Sequence, residues 1–229
     1  MKFKKYTIIA RFFPAIITSL PLVILSGFLI GDDYIALFAN LKYIKIIGLA
    51  STPVILFYLF AQINRFIAKE YFQKKYFKGE LEMPTTMFLL HSDDSLSSEY
   101  KNNIRAKIEN EFSVTLPSQI NEEQNIENSK LRISESVSLV RNKVGAGNLL
   151  LQHNIEYGFI RNLIGGSPIS LIITIVNIFL FWRIIPSFPA MITNIVLMFF
   201  YLMFIILSRF LIERYGVIYA KRLFQEYMT

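Results

Sequence analysis

"ISLIITIVNIFLFWRIIPSFPAMITNIVLMFFYLMFIIL" (Ile169–Leu207) decides what kind of protein this is. Two apolar runs, Ile169–Ile185 and Ala190–Leu207, flank the short turn "PSFP". A helix that crosses a bilayer needs about 17–25 apolar residues, a length both runs reach, the first of them narrowly. A charge at mid-helix would cost about 2.5–3.5 kcal/mol on insertion scales. Neither run carries one there. Two more runs of this kind lie upstream, Thr7–Ile30 and Ile46–Ile63. Arg11 is the lone charge of the first and sits near its start, where a long side chain snorkels to the interface. The sequence therefore predicts four transmembrane helices in two hairpins. Lys2, Lys4 and Lys5 resemble the start of a signal peptide. The apolar stretch that follows is too long and lacks a small-x-small cleavage site, so it reads as a retained helix.

Composition agrees. Of 229 residues 53% are hydrophobic, against about 45–50% in soluble domains even with Gly counted. Mean hydropathy is +0.42. There is no cysteine, which excludes disulfide frameworks and thiolate metal sites. His91 and His153 are the only histidines, too few for a zinc cluster of the His type. The net charge of +7 has an explanation in cytoplasmic retention and anionic lipid, so it is no argument for nucleic-acid binding.

Lys and Arg set the orientation. They gather at the N-terminus, after the second run (Arg65, Lys69, Lys74, Lys75, Lys78) and in the tail (Arg209, Arg214, Lys221, Arg222). Loop 31–45 sets Asp32 and Asp33 against Lys42 and Lys45, and the "PSFP" turn has only Arg183 nearby. Both termini and the middle region of this multi-pass chain are thus expected in the cytoplasm. Trp182 falls at the outer interface, where aromatic belts sit.

The expected layout is a first transmembrane hairpin over 1–66, a small, mainly helical cytoplasmic domain over 67–166, and a second hairpin with a basic tail over 167–229. Tyr100, Ile104, Ile108 and Phe112 mark one helix face, and Ile126, Ile133, Val137, Val140 and Val144 another. Ser118 caps a helix after Pro117, and "GAG" (145–147) ends the second stripe. "MPTTMFLLHSDDS" reads as a strand or extended chain between turn signals. Two modest stripes make a thin core, so this region is expected to lean on helix extensions, a second subunit or a partner. Phe210, Val217, Ala220, Phe224 and Tyr227 form one such extension; Ile63, Ile67, Tyr71 and Lys74 form the other. Lying flat at the headgroups is the alternative for both.

No phosphate-binding loop, GxSxG or HExxH is present. "NEEQNIE" (121–127) reads as a solvated helix face. No catalytic set, metal site or cofactor is expected. Polar residues inside the apolar runs are Thr18, Ser19, Asn177 and Asn194. Such groups hydrogen-bond between helices or line a pore in an oligomer; packing is the preferred reading. Pro14, Pro21 and Pro53 are tolerated kinks or gating hinges.

"HNIEYGFIRNLIGGSP" (His153–Pro168) is the most motif-like string. Gly165–Gly166 are expected to end one helix, and Ser167–Pro168 to start the next. Glu156, Tyr157, Arg161, Asn162, Gly165 and Gly166 would form an elbow, with Arg161 at lipid phosphate. As the direct covalent route into the third span, the elbow is also a candidate coupling element.

Pro84–Thr86, Leu89–Leu90, Asp93–Ser95, Leu116–Pro117 and Tyr157–Gly165 ("YGFIRNLIG") together form a longer pattern. It resembles a family of small multi-pass bacterial membrane proteins. Proteins of that plan resemble effectors of anti-phage loci, including those paired with retron reverse transcriptases or cyclic-oligonucleotide synthases. The resemblance implies a non-enzymatic effector of abortive infection. It would disrupt the membrane when a cytoplasmic sensor, a protein or nucleoprotein encoded nearby, releases it. The lipid bilayer is its other partner, with oligomerisation left open. The alternative is a non-toxic scaffold that recruits a cytoplasmic partner. A transporter is disfavoured, because no mid-membrane carboxylate or Arg marks a substrate path and no pair of broken helices is evident.

Overall fold

The computed structural model describes residues 5–29, 42–145 and 148–229, with side chains described for all of these but 29, 42–53, 148 and 149. Lys2 and Lys4, the loop aspartates Asp32 and Asp33, the first half of the second apolar run and the last two residues of "GAG" therefore lie outside what is described. Every regular element among the described residues is helical: α1 (Phe13–Leu29) behind a π-helical lead-in Thr7–Phe12, α2 (Lys42–Ile67) continued by a π-helical turn Ala68–Gln73, α3 (Lys74–Phe77), α4 (Pro84–Met87), α5 (Ser98–Phe112), α6 (Gln119–Gln124), α7 (Ile126–Val144), α8 (Asn148–Arg183), α9 (Phe188–Ile206) and α10 (Ser208–Met228). Three helical stretches, Thr7–Phe28, Leu150–Arg183 and Phe188–Ile206, are long and apolar enough to cross a membrane.

The chain divides into two compact units. The first takes the described residues of Phe3–Lys69 together with Gly158–Ser208; the second takes Glu70–Tyr157 and Arg209–Thr229. These boundaries differ from the expected ones in three places. The stretches 67–69 and 158–166 group with the apolar helices, and the basic tail groups with the middle region.

In the first unit the usual distribution of side chains is inverted. On α8, Ile172 is 63% exposed while Ser167, Ser170, Thr174 and Asn177 are fully buried. Apolar groups outside and small or hydrogen-bonding groups inside is the pattern that lipid imposes, because burying hydrocarbon gains nothing when the solvent is hydrocarbon. The buried face of α2 and its continuation is Ala61, Asn64, Ala68 and Phe72. It is not the Ile63, Ile67, Tyr71 stripe that periodicity suggests; Tyr71 is exposed. Asn162, Ser170 and Asn177 bond in that order to Ala10, Thr18 and Pro21. Rising numbers on both sides mean that α1 and this part of α8 run parallel. The helix α9 runs against them, with Asn194 beside Asn177 and Tyr201 beside Ile17. Trp182 is exposed, with the Arg183 guanidinium 4.0 Å from its ring centroid.

The second unit has a conventional core. Ile104 and Ile108 of α5, Ile133, Val137 and Val140 of α7, and Leu89 and Leu90 after α4 meet Ala220, Leu223, Phe224 and Tyr227 of α10. The expected lean on a helix extension is thus met by α10. Two residues of the expected stripes fall off them: Ile126 and Phe210 are exposed. "MPTTMFLLHSDDS" is not a strand. Pro84 opens one helical turn, and tight turns follow as far as a bond from the Asp93 amide to the Leu90 carbonyl. Ser118 does cap α6, in a capping box with Asn121.

Candidate functional site

Two proline-rich facts about α1 build the polar interior of the first unit. A proline has no N–H, so it leaves the carbonyl four residues earlier without its helical partner. Pro14 does this to Ala10, and Pro21 to Ile17. Inside a bilayer such a carbonyl must be satisfied by the protein. Asn162 Nδ2 donates to the Ala10 carbonyl at 2.5 Å, and the Tyr201 hydroxyl donates to the Ile17 carbonyl at 2.7 Å. Between and beyond them, Ser170 donates to the Thr18 carbonyl at 2.6 Å. Asn177 Nδ2 lies 2.7 Å from the Pro21 carbonyl and 3.0 Å from Asn194 Oδ1. The prolines are neither idle kinks nor bare hinges. They open acceptors that polar side chains of α8 and α9 close.

From the other side Asn64 Nδ2 donates to Thr18 Oγ1 at 2.8 Å, while that hydroxyl gives its own proton to the Pro14 carbonyl at 2.9 Å. The result is a continuous polar seam. Asn162 to Asn177 spans about 22 Å at 1.5 Å per residue, most of a hydrocarbon core of about 30 Å.

The glycines expected to break the helix at 165–166 do not break it. The helix α8 is unbroken from Asn148 to Arg183 and accommodates Pro168. Pro168 leaves the Ile164 carbonyl without its helical partner, and one residue earlier the Ser167 hydroxyl donates to the Leu163 carbonyl at 2.8 Å. What Gly165 and Gly166 permit is close approach. A Cβ on Gly165 would stand 2.2 Å from the Asn64 carbonyl oxygen, and one on Gly166 2.4 Å from Asn64 Oδ1. The six residues of the expected elbow are thus divided. Glu156 and Tyr157 lie in the second unit, where Tyr157 stacks on Tyr219 with ring centroids 6.3 Å apart and Glu156 accepts from Gln152 at 3.2 Å. Arg161, Asn162, Gly165 and Gly166 lie in the first. Arg161 is only 8% exposed.

The chain matches no family model, no curated protein and no solved structure. Its chemistry is therefore read from its own geometry. Asn64, Ser170, Thr174 and Tyr201 join the seam although sequence reading did not single them out. The position of Pro21 is a signal for Tyr201, since it predicts an open carbonyl four residues back and hence a polar side chain on a facing helix; Asn64, Ser170 and Thr174 bond elsewhere and carry no such signal.

A second buried polar cluster sits in the second unit. Lys101 Nζ donates to the Leu90 carbonyl at 2.7 Å, the His91 carbonyl at 3.3 Å and the Asp93 carbonyl. Arg105 donates to the carbonyls of Leu89 and Pro117. Glu122 accepts from the His91 amide through both oxygens at 2.9 Å and stands 4.0 Å from Arg105. Burial lowers the Arg105 guanidinium from its ordinary range, with Glu122 and Glu109 opposing. Thr85 and Thr86 are fully buried; they bind Arg141 and the Glu80 carbonyl respectively. The LL and LP pieces of the string thus supply carbonyls to this cluster, while the PTT piece bonds elsewhere, to Arg141 and the Glu80 carbonyl. Among the described residues no group of three or more His, Asp or Glu is placed to hold a metal.

The proline–acceptor pairing is open to a double-mutant cycle. Tyr201→Phe should cost about 0.6–1.7 kcal/mol, the range for hydrogen bonds between membrane helices. Pro21→Ala restores the N–H that Ile17 lacks, so in that background the same change should cost markedly less. Equal costs in SDS-titration unfolding of the two backgrounds would break the assignment.

Proposed function

We propose that this chain is an inner-membrane effector of a bacterial anti-phage system. A cytoplasmic sensor holds it inactive; release lets it compromise the membrane, and growth stops. In this reading α2 is the fourth span, both termini face the cytoplasm, and the second unit is the cytoplasmic receiver of the signal. The observation that carries the reading is α8: one unbroken helix gives Asn148–Tyr157 to the second unit and Gly158–Arg183 to the apolar unit. A helix without a break transmits rotation or translation along its axis, which a glycine elbow would absorb. Arg161 and Asn162 stand at the start of the apolar part and are the coupling residues.

The test is inducible expression in a bacterial host, alone and with the neighbouring genes, while a dye reports membrane potential. Rapid depolarisation by the chain alone, suppressed by a neighbour, is expected. Arg161→Ala should abolish depolarisation at unchanged membrane abundance; full toxicity from that variant would remove the coupling role. Normal growth and potential throughout, phage challenge included, would favour the scaffold reading. Exposed Ile120, Ile126 and Leu131 on α6 and α7 would then be the first place to look for a bound partner.

A further inference from the structure

The asparagines of the seam have hydrogen-bonding capacity left over, and their unpartnered atoms are all acceptors. Asn64, Asn162 and Asn177 are at most 1% exposed, and the Oδ1 of each has no hydrogen-bond partner among the described residues. Their orientations are not interchangeable. Each Nδ2 faces an atom that can only accept: the carbonyls of Ala10 and Pro21, and a Thr18 hydroxyl whose proton is already given to Pro14. Turning any amide over would set oxygen against oxygen. What remains is three acceptor oxygens on a line of polar groups through most of the bilayer thickness. An uncompensated buried acceptor is costly. The groups that relieve it are water donating a hydrogen bond, or a cation.

We infer that this seam is a passage for water and monovalent cations, shut in the present conformation where the Asn64 amide lies against Gly166. The proposal rests on the effector reading and supplies its route and its selectivity. The closure is local. The Cβ position of Gly166 is 2.4–2.6 Å from the Asn64 amide atoms, so that side chain fills the space between the two helices. Carbonyl oxygens that replace a cation's hydration shell, and constrictions that shut such paths, are general features of channels.

The experiment uses the full chain in liposomes, with potassium efflux and chloride efflux followed separately. Wild type should be tight. Gly166→Ala drives the amide out of its place, and Asn64→Ala removes it without adding bulk; both should raise potassium efflux. If the open state is at first populated at about 0.1–10%, making it dominant gives a rise of about tenfold or more. Chloride efflux should not change. Adding Asn162→Leu and Asn177→Leu to the Asn64→Ala variant should return potassium efflux to the wild-type level. Helical, inserted Asn64→Ala and Gly166→Ala proteins that leak no faster than wild type would overturn the proposal. So would chloride passing as fast as potassium, and in that case the effector reading survives without this route. Selective potassium efflux in liposomes beside unharmed cells would do the reverse, sparing the passage and removing the effector.

Discussion

Gly165→Ala is expected to loosen the apolar unit by about 3 kcal/mol, the upper end of the usual cost of overpacking. The new methyl group would stand 2.2 Å from the Asn64 carbonyl oxygen and 2.7 Å from the Ala68 nitrogen and Cβ. Two of those three atoms are backbone, so no rotamer change relieves the contact; one helix must move away from the other. Moving it also strains the Asn64 bond to Thr18. Gly27→Ala is the matched control, since nothing lies within 4 Å of that Cβ position, and an exposed helical Gly→Ala change is neutral to favourable by about 1 kcal/mol. Unfolding in mixed micelles with rising SDS measures both. A Gly165→Ala midpoint no lower than that of Gly27→Ala would mean that the helices do not approach so closely. The contrast with Gly166 is instructive. There the obstacle is a side chain, which can leave while the helices stay.

Arg105→Met should destabilise the second unit by about 3–5 kcal/mol, the loss seen when one partner of a buried ion pair is removed. The change strands Glu122 and removes the shared donor from the Leu89 and Pro117 carbonyls. Those carbonyls belong to the two irregular segments that flank α5 and α6, so the damage should spread through residues 88–92 and 116–118. Arg105→Lys keeps the charge but loses the fork that reaches both carbonyls, and should fall between. Hydrogen exchange of the full chain in detergent is the measurement. Amides of α5 and α7 should lose most of their protection in Arg105→Met, whereas Arg132→Ala, at an exposed bond to the Thr115 carbonyl, should leave them protected. Unchanged protection in Arg105→Met would show that the cluster is not what holds this backbone.

The apolar runs could be read from the chain because insertion depends on composition, which is local. Faces of α5 and α7 were also legible: in water, burial follows hydrophobicity, and Ile104, Ile108, Ile133 and Val137 are where the period puts them. The same rule fails on α2, since the face that is buried is Ala61, Asn64 and Ala68, small and polar where the Ile63–Ile67 face is bulky and apolar. Gly165–Gly166 misled for a related reason. In a soluble chain paired glycines end helices; against a second membrane helix they admit its backbone. Asn177 and Asn194 were noticed as isolated polar residues, but their link to Pro21 needed the third dimension.

The place of α10 in the second unit bears on how the protein is made. Leu223, Phe224 and Tyr227 complete a hydrophobic core, yet they follow every membrane-spanning helix in chain order. While the ribosome delivers α8 and α9 to the translocon, the segment from Glu70 to Tyr157 has no finished interior to fold around. It waits, with Leu89, Ile104 and Ile133 uncovered, for residues synthesised after the last span. At about 5–20 residues per second, this interval lasts seconds. Delivery of the apolar helices thus precedes completion of the second unit's core.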